Sequence, residues 1–231
     1  MNVILDLLFP KSCVNCNKGG TYFCPKCVQT INQSELVCPM CERYSLGGIT
    51  HPMCKRRWGM DGLWFLGVYE KPLKPAIQKL KYKWITDFAE ILVNIMLEYW
   101  AKNPPLIFDH IKKDRGVGWL VIPVPLHKRR QNWRGFNQSA LLGKLIAQKL
   151  GLNYKDCLLR IKHTKPQMSL KSEERHSNIR NAFILNQEYD VSNKKVLLID
   201  DVWTTGSTLK ECSAILKKST VISVWGITIA R

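Results

Sequence analysis

Paired cysteines in the first quarter of the chain constrain its fold more than any other feature. Seven of the nine cysteines lie before residue 55. Each pair has two residues between its members, and the four pairs are Cys13 and Cys16, Cys24 and Cys27, Cys38 and Cys41, and His51 and Cys54. Such a turn directs both side chains to one ion, and zinc takes four ligands in a tetrahedron. The spacing therefore predicts two structural zinc ions.

Sequential pairing is the simplest arrangement of these ligands. It places the first four cysteines on one ion, and Cys38, Cys41, His51 and Cys54 on the other. Crossed pairing stays open at this point. A disulfide cluster fits poorly with an odd number of thiols and with the short apolar stretch at residues 1–10, which lacks the features of a signal peptide. Metal is expected to supply most of the folding energy of this segment.

After residue 60 the composition changes to alternating apolar strands and amphipathic helices. Strands are predicted at 63–69, 119–124, 195–199 and 221–230, and helices at 72–80, 88–100, 137–150 and 208–218. Stretches 103–118 and 164–180 are predicted to be irregular. The alternation indicates an α/β domain with a mainly parallel sheet. We therefore expect a cysteine-rich module over residues 1–60 and an α/β domain over residues 61–231.

The charge of the chain points to a polyanionic partner. There are 35 Lys and Arg against 18 Asp and Glu, a formal net charge of +17. Such an excess is typical of proteins that bind nucleic acid, anionic membrane surfaces or phosphate-rich ligands, although it also fits a solvated basic surface. No stretch is apolar for the ~20 residues that a bilayer requires, so a cytoplasmic protein is expected.

One segment carries most of the chemical information. An apolar strand ends in Asp200 and Asp201, and a hydroxyl- and glycine-rich loop, 204–208, leads into a helix. In open parallel sheets, ligands bind beyond the carboxyl ends of the strands. Backbone N–H groups, hydroxyls and a helix N-terminus suit a phosphate monoester, and the carboxylates suit sugar hydroxyls or Mg²⁺. A phosphorylated ribose has both features.

Several motifs in order resemble a known family. The segment 200–208 resembles the phosphoribosyl-pyrophosphate (PRPP) motif of type I phosphoribosyltransferases. The remaining motifs narrow the resemblance to the ComF/ComFC family. They are Leu7-Leu8-Phe9-Pro10, Leu80-Lys81-Tyr82, the run from Val121 to His127 with Arg134 to Gln138, and Thr164, Gln167, Leu170, Arg175, Asn178, Ala182 and Phe183. Trp203 departs from the small aliphatic residue usual in the family, and His51 from a usual cysteine.

The resemblance implies a type I phosphoribosyltransferase fold and a set of roles. Asp200 and Asp201 would bind the ribose hydroxyls and assist catalysis. The 5-phosphate would be bound by Thr204, Thr205, Gly206, Ser207 and Thr208. Pyrophosphate would be bound near His127, Arg129, Arg130 and Arg134, with Lys165 and Arg175 on a lid over 164–180. The implied ligands are PRPP and Mg²⁺. Trp203 is expected to crowd the phosphate loop.

The resemblance also implies a role in natural competence, the handling of incoming single-stranded DNA, with other competence proteins as partners. Basic residues flank aromatic ones at Arg56-Arg57-Trp58, Lys81-Tyr82-Lys83-Trp84 and Asn132-Trp133-Arg134. These aromatic side chains could stack on bases. The alternative is a non-catalytic nucleic-acid-binding protein that uses PRPP as a regulator. The two remaining thiols, Cys157 and Cys212, are expected to be small buried residues.

Overall fold

The centre of the structure is a five-stranded parallel sheet. The computed structural model describes residues 11–81, 86–162, 179 and 181–231. Its strands are β1 (Gly62–Gly67), β2 (Trp119–Pro123), β3 (Asn153–Tyr154), β4 (Leu158–Arg160), β5 (Phe183–Leu185), β6 (Lys195–Val202) and β7 (Ser223–Ala230). The sheet has the order β1-β7-β6-β2-β3 and every pairing in it is parallel, while β4 and β5 form a separate antiparallel pair. The predicted α/β class with a mainly parallel sheet is confirmed.

Helices cover both faces of this sheet. They are α1 (Pro25–Gln29), α2 (Leu73–Lys79), α3 (Thr86–Lys102), α4 (Leu106–Lys113), α5 (Lys128–Arg134), α6 (Gln138–Leu150) and α7 (Ser207–Lys218). Short 3₁₀ turns occur at Leu46–Gly48 and Pro52–Cys54. Within the described part of the chain, no helix has the length and hydrophobicity that crossing a bilayer would require.

Alternation along the strands divides the core into two layers. Successive side chains of a strand point to opposite faces. On β6, Leu197 and Ile199 belong to the layer that holds α3 and α6. Val196 and Leu198 belong to the layer that holds α7 and the β4–β5 pair. Burial of all four side chains explains why β6 reads as a continuous apolar run, as expected for a central parallel strand.

The cysteine-rich segment packs directly on this body. Residues 11–31 form the first cysteine module, and its Cys13, Phe23 and Cys24 are buried in the layer that contains α3. The Tyr22 ring contacts the Phe88 ring edge-on at 6.2 Å. Residues 36–60 form the second cysteine module, which contributes buried side chains to the other layer. The division of the chain at residue 60 stays a prediction.

The sequence predicted neither the short strands β3, β4 and β5 nor two helices of the α/β body. Stretch 103–118, predicted to be irregular, contains α4, whose Ile107 and Ile111 are buried one turn apart. This pattern is too short to stand out between a Pro-Pro pair and a Lys-Lys pair, and proline is tolerated where a helix begins. Helix α5 was not predicted because none of its residues is buried, so it has no apolar period. The expected lid, with Lys165 and Arg175, lies outside the described residues.

Candidate functional site and metal centres

The acidic doublet lies at the carboxyl edge of the sheet, next to its centre. Asp200 and Asp201 lie near the carboxyl end of strand β6, which runs between β7 and β2 in the sheet. The Asp201 side chain is buried, with its residue only 8% exposed. Buried carboxylates require hydrogen-bond or ionic partners. The surroundings of the pair therefore show how the fold holds two adjacent acids.

Helix α6 and the segment after α2 supply those partners. The Ser139 hydroxyl donates to Asp200 Oδ1 at 2.9 Å, and the Asp201 backbone N–H donates to the same oxygen at 2.9 Å. Gln138 Nε2 donates to Asp201 Oδ2 at 3.2 Å. The Lys81 ammonium forms an ion pair with that oxygen at 3.5 Å. The first two residues of α6 thus hold both acids in place.

Ionisation of Asp200 is unfavourable in this setting. Burial and the neighbouring Asp201 charge raise the pKa of Asp200 to about 7, against the opposing effect of the Asp201 amide, Ser139 and Lys81. A carboxyl of this kind gains and loses its proton near neutral pH. Perturbed carboxyls in clefts are candidates for functional groups.

The loop after β6 has the shape expected of an anion cradle. Gly206 has a left-handed φ of 66° and directly precedes α7. Thr205 Oγ1 and Ser207 Oγ are 2.9 Å apart and share a hydrogen bond. The amides of the first turn of a helix have no partner within that helix, which suits them to bind an anion.

Trp203 lies beneath this loop. Its indole is buried, at 1% exposure, and belongs to the layer that contains α7. A Cβ atom added to Gly206 would lie 2.1 Å from the Trp203 ring, so only glycine fits there. Trp203 therefore crowds the loop from below, and it does not line the cleft described next.

A cleft of about 180 Å³ runs along the carboxyl edge beside the doublet. Its polar lining residues are Tyr69, Lys81, Arg130, Arg134, Gln138, Ser139, Arg160, Asp200, Asp201, Thr204 and Thr208. The predicted site residues Thr205, Gly206 and Ser207 form the loop behind this lining. The cleft thus joins an acidic floor, a hydroxyl-bearing loop and several cations.

Three guanidinium groups form one wall of the cleft. Arg130 and Arg134 come from α5, and Arg160 ends β4. Burial, together with the charge of Arg134, lowers the pKa of Arg130, and burial with the charge of Arg130 lowers that of Arg160. Guanidinium groups remain charged under such conditions, so the positive charges of these arginines repel one another. A bound polyanion would relieve that repulsion.

The remaining predicted pyrophosphate residues lie outside this wall. His127 lines a second cavity of about 480 Å³ on the other side of the 125–126 turn. Its Nδ1 accepts a hydrogen bond from the Arg129 backbone N–H at 3.2 Å, which caps α5. Arg129 is exposed and lines neither cavity. The structure therefore places Arg130 and Arg134 at the cleft, and His127 and Arg129 beside it.

Asn137 positions the helix that holds the acids. The Asn137 Oδ1 accepts from the Ser139 backbone N–H at 3.0 Å, and its Nδ2 donates to the Val124 carbonyl at 3.0 Å. It thereby caps α6 and ties that helix to the residue after β2. Arg134 Nη1 donates to Gln138 Oε1 at 3.1 Å, which links the cationic wall to the acids.

Sequence reasoning missed several lining residues. Ser139 and Tyr69 belong to none of the motifs discussed above. Lys81 and Gln138 lie within quoted motifs but were given no role in binding PRPP. Arg160 had one available signal in the sequence, since it interrupts the apolar run from Cys157 to Ile161. The structure places it on the buried face of β4, on the same side as Leu158. A charged residue on such a face requires an explanation.

The cysteines form two ligand clusters with sequential pairing. One contains Cys13, Cys16, Cys24 and Cys27, and the other contains Cys38, Cys41, His51 and Cys54. Within each cluster the ligand atoms all lie within 4.8 Å of one another, and all nine cysteines are free thiols. Four sulfurs at ~2.3 Å from zinc lie about 3.8 Å apart in a tetrahedron. The Cys16 and Cys24 sulfurs are 3.7 Å apart, so the geometry fits a tetrahedral ion.

The second cluster shows why a cation is needed. Burial opposes ionisation of Cys38, but backbone N–H groups, including those of His51 and Cys41, lower its pKa. A hydrogen bond with Cys41, burial and the nearby thiolates raise the pKa of Cys54 to about 11. A thiolate at Cys38 therefore opposes ionisation of Cys54. A bound divalent ion removes that conflict.

His51 is oriented to act as a ligand. Its Nδ1 lies 3.4 Å from Cys41 Sγ, while Nε2 lies 2.9 Å from the Tyr44 carbonyl oxygen. Donation from Nε2–H to that carbonyl leaves the Nδ1 lone pair directed to the cluster. Metal-binding histidines usually have such an outer partner.

Comparisons with known proteins agree with this architecture. The model of the phosphoribosyl transferase domain matches residues 137–228. Competence protein F of Haemophilus influenzae is 33% identical over 180 residues, covering 75% of each chain. Competence protein ComFC of Bacillus subtilis is 31% identical over 212 residues, covering 84% of this chain and 78% of that protein. The DNA utilization protein YhgH of Escherichia coli K12 is 28% identical over 216 residues, covering 90% of each.

The ligand clusters predict two divalent ions per chain. Cys38→Ser removes a ligand from the second cluster and should lower the content to about one ion, measured by elemental mass spectrometry on purified protein. Cys157→Ser is the matched control, because Cys157 is equally buried and belongs to neither cluster. Folded wild-type protein without metal would contradict this expectation.

The raised pKa of Asp200 predicts a specific dependence of stability on pH. Its folded pKa of about 7 exceeds an unfolded value of ~3.9, so the folded state binds more protons in between. This contribution is fully present below about pH 4 and is lost as pH rises through 7. Without added Mg²⁺, urea denaturation should therefore show wild type losing more stability between pH 5 and pH 8 than Asp200→Asn.

The control for this experiment is Asp190→Asn. Hydrogen bonds from Ser192 lower the pKa of Asp190, so its titration is complete below pH 5. Its stability curve should parallel that of wild type from pH 5 to pH 8. Parallel curves for wild type and Asp200→Asn would show that Asp200 is ionised throughout.

Proposed function

The chain belongs to the ComF family of competence proteins with a phosphoribosyltransferase domain, and from that membership we propose that its cleft binds PRPP with Mg²⁺. The observation that carries the proposal is the joining of the acidic doublet, the hydroxyl loop and three guanidinium groups at one edge of the sheet. PRPP has a vicinal diol between two phosphate groups. Each part of this ligand has the chemistry to bind one of these three surfaces.

In this proposal each surface binds one part of the ligand. Thr204 to Thr208 bind the 5-phosphate through hydroxyls and the first amides of α7. Asp200 and Asp201 accept hydrogen bonds from the ribose hydroxyls. Arg130 and Arg134 bind the diphosphate, since guanidinium groups bind phosphate oxygens in pairs. Arg160, on the same wall, is added to this set.

The chemistry that these residues support is displacement at the ribose anomeric carbon. The bond from C1 to the diphosphate oxygen breaks, and its electron pair leaves with the diphosphate. The acceptor's lone pair forms the new bond to C1, and its proton passes to solvent. Positive charge on the ring is stabilised by the nearby carboxylates, as in glycoside cleavage. When bound, Mg²⁺ supplies further neutralisation of the leaving group.

The two cysteine clusters are proposed to hold Zn²⁺. Four thiolates, or three with one imidazole, in a closed tetrahedral set are typical of structural zinc sites. Both sets lie far along the chain from the acidic doublet, and all four ligand positions of each are filled by protein atoms. The ions would therefore support the fold rather than the reaction.

Nucleic-acid binding is a second candidate function, and a specific surface favours it. Trp58 of the second module is 44% exposed. The Arg57 guanidinium lies 5.6 Å and the Lys218 ammonium 5.0 Å from its ring centre. An exposed indole among cations is the combination that binds a single strand by stacking and charge. The name of the DNA utilization relative is in line with DNA as the ligand.

PRPP binding is tested by thermal stability. PRPP and Mg²⁺ at a hundred times the Kd should stabilise the protein by ~2.7 kcal/mol, or about 5–10 °C in Tm. Asp201→Asn should abolish this shift, because the side chain contacts the ligand and anchors Gln138 and Lys81. The exposed Asp190→Asn should retain it. Absence of any shift in wild type would reject the assignment of the ligand.

Turnover separates the two candidate functions. The protein would be incubated with PRPP, Mg²⁺ and either free bases or single-stranded DNA, and pyrophosphate release would be followed. Release that requires an acceptor identifies a transferase. Binding without release identifies a protein that uses PRPP as a regulatory ligand.

DNA binding is tested at Trp58. Loss of one base stack costs ~1–3 kcal/mol, so Trp58→Ala should weaken binding of oligothymidine roughly 5- to 150-fold. Met53→Ala is the control, since Met53 is 90% exposed on the same module. Affinity, measured by fluorescence anisotropy, should fall steeply with salt. Equal affinities for wild type and Trp58→Ala, or salt-independent binding, would count against this surface.

A further inference from the structure

Lys210 stands in an unusual position next to the loop that follows β6. It lies in the first turn of α7, where the helix dipole disfavours a positive charge. Its ammonium donates to the Thr205 carbonyl at 3.2 Å and lies 5.1 Å from the centre of the Trp203 ring. One side chain thus contacts the loop itself and the indole on which the loop rests.

Glu42 of the second cysteine module holds this lysine. Its Oε1 lies 3.5 Å from Lys210 Nζ, and its Oε2 lies 3.6 Å from a guanidinium nitrogen of Arg231. The carboxylate therefore joins α7 to the residue after β7. Residues 42 and 210 are far apart in the chain, so only the docking of the second module on the body brings them together.

The placement of Glu42 depends on the metal-binding turn. Glu42 directly follows the ligand Cys41, and its backbone N–H donates to the Cys38 carbonyl at 2.8 Å. It adopts a left-handed φ of 61°, which is uncommon for a residue other than glycine. The Cys38–Cys41 turn holds the backbone in this conformation, and a bound ion would close that turn.

We propose that Lys210 is a positioning residue of the loop and that Glu42 makes its placement depend on the second metal-binding module. The contacts run from Cys41 through Glu42 and Lys210 to the Thr205 carbonyl. Release of metal from the second module would free Lys210 and loosen the loop. This inference rests on the proposed role of the loop in phosphate binding, and it adds a structural control of that site.

A purely electrostatic role for Glu42 makes the opposite prediction. Glu42→Gln removes a negative charge near a phosphate site, and charge alone would then tighten anion binding. Positioning requires weaker binding, because a loosened loop must be ordered at a cost when the ligand binds. The direction of the change therefore separates the two roles.

The first measurement needs no ligand. Hydrogen–deuterium exchange would be followed in the full, metal-loaded chain for Glu42→Gln, Lys210→Met and the double variant. Each single variant should raise exchange of the 204–208 amides about 3- to 10-fold, and the double variant no further, with two ions retained and the β6 amides unchanged. His51→Ala, which removes a metal ligand, should raise loop exchange by a similar factor.

The matched control is Glu90→Gln, which breaks the ion pair between Glu90 and Lys149, whose charged atoms are 3.8 Å apart. This variant should leave loop exchange unchanged. Glu42→Asp, which keeps the charge, should restore protection in part. Unchanged loop exchange in Glu42→Gln and Lys210→Met, or additive effects in the double variant, would overturn the proposal.

The second measurement is the Kd for ribose 5-phosphate by calorimetry. Glu42→Gln should weaken binding about 3- to 10-fold, and tighter binding would overturn the positioning role. Failure of wild type to bind ribose 5-phosphate would reject the proposed function of the loop instead. The exchange measurement would still decide whether Glu42 and Lys210 hold it.

Discussion

The burial of two adjacent carboxyl groups at the end of β6 is the interaction on which the rest of the site depends. The Ser139 hydroxyl and the Gln138 amide from α6, and the Lys81 ammonium from the segment after α2, partner the two acids in this position. Helix α6 must therefore begin at a fixed point beside β2. Asn137 ensures this by capping the helix and donating to the Val124 carbonyl. Even so, the pKa of Asp200 stays raised, and a cation bound beside its carboxyl group would favour the ionised form.

The cysteine modules support this edge from outside. The first module shares its apolar side chains with the layer around α3, so it is held by packing as well as by its ligands. The second module reaches the cleft region through Glu42, whose carboxylate contacts α7. A ligand cluster that is remote in the chain is thereby connected to the loop after β6. Trp58 and the neighbouring Arg57 give the same module an outer surface suited to a polyanion.

The sequence could predict those parts of the site whose functional residues lie close together along the chain. The cysteine spacing predicted both clusters, and the run from Asp200 to Thr208 predicted a loop at the carboxyl edge of a central strand. Arg160 and Lys81 could not be placed in the same way, because they reach the cleft only through tertiary packing. Helix α5 has no buried face, and α4 is too short to show a clear period. The sequence also could not show that the Trp203 indole is buried beneath the loop, where it contacts Gly206 without entering the cleft.

A crystal structure with PRPP and Mg²⁺ tests the central claim most directly. The account predicts the 5-phosphate within hydrogen-bond distance of the Gly206 to Thr208 amides, the ribose hydroxyls at Asp200 and Asp201, and the diphosphate against Arg130 and Arg134. Ligand density outside this cleft, or a ribose turned so that its hydroxyls face away from both carboxylates, would contradict the account.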